Sequence, residues 1–143
     1  MRHHVRTTIG YRDREGNAMN FNSILIGSED PQRLVGYYSK LFGAPTWSEG
    51  GYTGWLVGSG FITVGPHDQV HGPNASPGRI LINIESPDVK GDFERFKAAG
   101  ARVVSEPYWF EMDEGAWIAT FADPDDNYFQ LLSPMPLPAS SGG

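Results

Sequence analysis

Cysteine is missing from all 143 residues, so neither a disulfide framework nor a thiolate metal site can form. Basic residues are scarce: 11 Lys and Arg stand against 17 Asp and Glu, a formal charge of −6 at pH 7. They are scattered rather than striped, which removes the electrostatic footprint a phosphate backbone requires. Nucleic acid is therefore not an expected partner. No stretch approaches the roughly 20 apolar residues of a membrane helix. The basic start, Met1-Arg2-His3-His4, is followed by no apolar run and so does not read as a secretory signal. A cytoplasmic protein is the default expectation. The length suits a single domain with one core.

Aromatic residues are plentiful, at 13% of the chain, and crowd into stretches such as Tyr108-Trp109-Phe110. Such side chains offer large apolar contact area, in a core or in a small-molecule pocket alike. A repeat is also present. Ile24-Leu25-Ile26 recurs as Ile80-Leu81-Ile82, and at that same spacing Glu29 meets Glu85, Pro31 meets Pro87 and Tyr37 meets Phe93. Further along, Trp55-Leu56-Val57 resembles Trp117-Ile118-Ala119, and the run from Phe61 to Pro66 resembles that from Phe129 to Pro134.

Alternation and β-branched content predict strands near 22–28, 46–49, 53–57 and 61–64, then near 79–85, 102–106, 116–121 and 128–132. Helices are predicted over 31–42 and 89–99. Asp30 stands as N-cap with Pro31 in the first helical position, and Gly43 and Gly100 stand just past the ends. The fold class predicted is α+β: two βαβββ modules, 21–66 and 79–134, joined by a Pro/Gly-rich linker at 67–78. Residues 1–20 read as an arm or leader and 135–143 as a flexible tail.

Each module covers one sheet face with its helix and leaves the other open, so two modules can enclose a cleft. Strand neighbours point to opposite faces. Ile24, Ile26, Ile80, Ile82 and Ile84 are expected on the helix side, leaving Ser23, Leu25, Leu81, Asn83 and Glu85 to the cleft.

Three stretches carry a family resemblance: 26–43, with Asp30 and the run Tyr37-Tyr38-Ser39-Lys40-Leu41-Phe42-Gly43; Ala99-Gly100-Ala101; and Phe121-Ala122-Asp123-Pro124-Asp125-Asp126-Asn127-Tyr128-Phe129-Gln130-Leu131. Together they resemble the vicinal oxygen chelate superfamily, which contains glyoxalase I and bleomycin-resistance proteins. Asp126 departs from the family's usual Gly, but Asp tolerates a positive φ. In the metal-dependent members four cleft positions supply His, Glu or Gln. The resemblance carries them to Ser23, Ile62, Leu81 (or Arg79 at the strict spacing of the Ile-Leu-Ile strings) and Gln130. Only Gln130 could coordinate well, so no metal and no cofactor are expected. His67 and His71 sit in a loop without helical pattern and do not change this.

Without a metal, the family precedent divides between binding proteins and enzymes, and the aromatic inventory fits a small-molecule-binding protein, with an aromatic antibiotic or metabolite held in an aromatic-lined cleft. The ligand-binding candidates are Ser23, Leu25, Tyr52, Trp55, Ile62, Leu81, Asn83, Tyr108, Trp109, Met112, Trp117 and Gln130. Trp55 and Trp117 equally suit a core, and the stretch 106–115 is expected as a loop that could close over a ligand. The alternative is a metal-free enzyme of lyase, isomerase or cyclase type using cleft carboxylates, with Glu85 the candidate by parity. A homodimer is implied by the resemblance.

Overall fold

The computed structural model describes residues 11, 12, 14–16, 18–111 and 115–134. Two short strands, β1 (Tyr11–Arg12) and β2 (Ala18–Met19), pair antiparallel within the stretch expected as an arm. Residues 1–10, with His3 and His4, residues 13 and 17, and the tail 135–143 lie outside the described residues.

The first module runs β3 (Ser23–Ser28), α1 (Pro31–Phe42), β4 (Trp47–Glu49), β5 (Tyr52–Val57) and β6 (Gly60–Pro66). The second runs β7 (Leu81–Glu85), α2 (Val89–Ala98), β8 (Arg102–Phe110), β9 (Ala116–Ala122) and β10 (Tyr128–Leu132). Their sheets have the same order, β3-β6-β5-β4 and β7-β10-β9-β8, with the first strand of each module parallel to the last. This is the predicted two-module α+β fold. One boundary moves: β8 extends to Phe110, so Tyr108, Trp109 and Phe110 belong to a strand, not to a loop.

The repeat is real, but its spacing is not that of the two Ile-Leu-Ile strings. Both modules enter their helix through the same local turn. The Ser28 hydroxyl accepts the Asp30 N–H at 3.0 Å, and the Ser86 hydroxyl accepts the Asp88 N–H at 3.1 Å. Ser28 thus corresponds to Ser86, and Ile24 to Ile82. Ile80 precedes β7 and is 67% exposed rather than on the helix side. The second Ile-Leu-Ile string matches the first in letters only.

Both helices pack into one core. Tyr38 stacks on Phe42 and meets Trp55 and Phe129, and Phe96 meets Phe42, Phe121 and Phe129. The β9–β10 turn is docked into the first module. Tyr38 donates its hydroxyl proton to the buried Asp123 carboxylate at 2.7 Å, and Tyr37 donates to the Ala122 carbonyl at 3.1 Å. Ser28 donates to Asp125, which also receives Arg33. Asp126 holds φ of 64°, the one positive value at a non-glycine among the described residues, as the turn requires of the position expected to be glycine. Burial pushes the Asp123 carboxyl above its ordinary range, against the opposing hydrogen bonds from Asn127, Tyr38 and backbone amides. Burial likewise raises the Tyr38 phenol.

Candidate functional site

Strand register sorts every candidate by face. In the first module Trp55 pairs with Ile62 and Thr53 with Val64, all buried beneath α1. The opposite face is open and carries Leu25, Trp47, Tyr52, Leu56, Phe61 and Thr63, with Ser23 at its end. Trp55 is 1% exposed and donates its ring N–H to the Gly43 carbonyl, so it is a core residue and lines no cleft. Ile62 is also on the helix side, away from this open face. Register explains why. Ile24 pairs with Ile62 and its counterpart Ile82 pairs with Phe129, so Thr63, not Ile62, corresponds to Gln130. The spacing between the last strands is one position shorter than the letters suggest.

Two glycines shape the open face. A Cβ on Gly54 would lie 2.2 Å from the Phe61 ring, and one on Gly65 would lie 2.1 Å from the Tyr52 ring. Each ring therefore lies down over a glycine of the neighbouring strand, where any side chain would lift it. A third, Gly27, is covered by His67 and Val70 of the linker. The result is a hollow of about 760 Å³ walled by Leu25, Trp47, Tyr52 and Phe61, with Ser23 and Thr63 at its floor. That volume suits a small organic ligand. Trp47, Phe61 and Thr63 escaped the sequence reading, although the aromatic–Gly alternation in Tyr52-Thr53-Gly54 and Phe61 to Gly65 was a usable signal.

The remaining candidates divide among three other places. Leu81, Asn83 and Glu85 line a separate crevice of about 550 Å³ between the modules, which touches the hollow at Asn22 and Phe61. Gln130 and Tyr108 stand on the second module's open face, where Gln130 donates its amide N–H to the Thr120 hydroxyl at 3.1 Å. Trp109 and Trp117 are cross-strand partners on the helix side, 5.5 Å apart in an edge-to-face contact, with the Lys90 ammonium 3.8 Å above Trp117. Adjacent strand residues cannot share a face, so Tyr108 and Trp109 cannot both line a cleft. Trp117 is not the counterpart of Trp55 either; register gives that place to Phe121. Met112 lies outside the described residues.

Once the register is corrected, the four positions to which the resemblance carries the family's metal ligands are Ser23, Thr63, Leu81 and Gln130. Two hydroxyls, a hydrocarbon and an amide already engaged with Thr120 do not make a donor set for a divalent cation. Among the described residues no three His, Asp or Glu gather elsewhere in a way that could hold one.

A mixed sheet repeated as βαβββ, with a helix on one face and an open face on the other, defines the vicinal oxygen chelate class. The family model of the glyoxalase-like domain matches residues 23–132, and the chain belongs to that family. Solved structures agree in fold. A glyoxalase/bleomycin resistance protein/dioxygenase family enzyme from Burkholderia phytofirmans is 19% identical with a TM-score of 0.62, over 80% of this chain and 98% of that one. TioX from Micromonospora is 18% identical with a TM-score of 0.60, over 82% and 100%. FosX of Listeria monocytogenes, a fosfomycin resistance protein complexed with manganese(II) and a dihydroxypropylphosphonic acid, is 19% identical with a TM-score of 0.60, over 81% and 90%. No curated protein sequence matches the chain. Among the described residues no helix is long and apolar enough to cross a membrane.

Proposed function

We propose that this chain is a metal-free small-molecule-binding protein that holds a planar, largely apolar ligand, of the kind an aromatic antibiotic or metabolite presents, in the first module's hollow. One observation carries the reading: Gly54 and Gly65 lay Phe61 and Tyr52 down beside Trp47 and Leu25, a wall of ring faces with little charge. Stacking on each ring contributes about 0.5–1.5 kcal/mol beyond area burial. The corrected donor set supports binding without a metal. Glu85, the candidate acid or base, lines the crevice rather than this hollow, which counts against carboxylate catalysis here. Exposed apolar residues on the open side, Leu25 and Leu56 each more than half exposed, support a homodimer with a second copy covering part of that side.

The test is a titration with a panel of planar aromatic antibiotics, read by tryptophan fluorescence. Saturable quenching is expected in the native protein, and most of it disappears in Trp47→Phe. A panel that gives neither quenching nor a thermal shift removes the proposal. Stoichiometric metal whose loss abolishes a turnover would replace it with the enzyme reading.

A further inference from the structure

The crevice between the modules is a different kind of place from the hollow. Its base is made of branched apolar side chains from both modules, Ile24 and Ile62 on one side and Ile82 and Ile84 on the other. Such side chains have restricted rotamers, so the base is stiff and preformed. Consecutive residues of β7, from Leu81 to Glu85, line it, and a strand can offer consecutive residues only along its edge. β7 is indeed an edge strand, paired on one side with β10. Ser86 donates its N–H to the Leu132 carbonyl, toward β10. Backbone groups alternate along a strand, so those of Asn83 and Glu85 point the other way, into the crevice.

Polar side chains stand at the rim. Those of Asn22, Asn83 and Glu85 make no hydrogen bond or ion pair with other described residues, and among the described residues no Lys or Arg lines the crevice. A lone carboxylate beside an apolar base, on a chain of net charge −6, favours a cation over an anion.

We propose that this crevice is a second ligand site, distinct from the aromatic hollow, that takes an aliphatic ammonium compound bearing a carboxamide. The branched aliphatic part lies on the isoleucines. The carboxamide pairs with the backbone groups of Asn83, which have no strand partner among the described residues, as an added strand would. The ammonium meets the Glu85 carboxylate in a charge-assisted hydrogen bond.

L-Leucinamide carries these three groups. N-acetyl-leucinamide lacks the positive charge, and N-acetyl-leucine is an anion. Titration of each is followed through backbone amide resonances in two-dimensional NMR. Leucinamide is expected to shift the amides of residues 81–85 saturably, and about tenfold more tightly than the neutral compound, with the anion weakest. Glu85→Gln should remove the preference for the cation while leaving the weak binding of the neutral compound. Equal binding of the three compounds, shifts confined to Trp47 and Tyr52, or no saturable shift would overturn the proposal. Trp47 fluorescence reports the hollow separately, so failure at one site is distinguishable from failure at the other.

Discussion

The two modules share a core and differ on their open faces. Beneath the helices the match is close: Trp55 corresponds to Phe121, Ile62 to Phe129 and Val64 to Leu131, all buried. On the open side, Gly27, Gly54 and Gly65 of the first module correspond to Glu85, Thr120 and Leu132 in the second. Where the first module withholds side chains, two aromatic rings lie flat and a hollow opens. Where the second supplies them, Gln130 and Thr120 satisfy one another across the strands. Duplication preserved what packs against the helix, because any change there opens a void or a clash. The open face was free to diverge.

The comparison breaks first if the shared core is not what stabilises both modules. Trp55→Ala should cost about 3–5 kcal/mol, because a wholly buried indole and its hydrogen bond to Gly43 are lost together. Trp47→Ala, on the open face, should cost less than about 1 kcal/mol. Urea denaturation of both variants checks this; comparable losses would mean that the hollow is a second core rather than a site.

The sharper probe exchanges the modules' own residues. Gly54→Thr installs the second module's side chain where Phe61 now lies. Threonine suits a strand, so the melting temperature should stay within a few degrees. Affinity for planar aromatic ligands should fall about tenfold, or roughly 1.4 kcal/mol. Unchanged affinity would show that the glycine does not create the hollow.

The smallest expected effect concerns the β9–β10 turn, which docks onto the first module. Burial raises the Asp123 carboxyl above its ordinary value near 3.8. The folded state therefore takes up this proton more readily than the unfolded chain. The associated stability is fully present below the unfolded value and is lost as pH rises through the folded one. Asp123→Asn has no such proton. The melting temperature of the native protein should therefore gain on that of the variant as pH falls from 7 toward 4. A difference that is constant across that range would show that Asp123 titrates alike in both states.

Much of this was legible in the chain. Element order, both helices and nearly all strand positions follow from local signals: Asp30 with Pro31 opening a helix, Gly43 and Gly100 closing one, alternation along the strands. The errors come from the same source as the successes. Matching letters aligned Ile80 with Ile24, where the shared helix-entry turn aligns Ile82. On the last strands a slip of a single position turned Ile62 outward in place of Thr63. A strand has period two, so a register error of one exchanges the faces. Trp109 was misplaced for a related reason, since local sequence shows that neighbours oppose each other but not which of them looks inward.

The sequence by itself determined the class of fold, its duplication and the lack of thiolate ligands, because these depend on composition and on patterns within single elements. Only the tertiary structure decided which residues meet. Parallel pairing between strands far apart in the chain fixed the register of each module's first strand on its last and set the edge of β7 beside the first module, while the β5–β6 hairpin laid Phe61 over Gly54 and Tyr52 over Gly65. The parallel pairings are non-local, and no short window of sequence contains them.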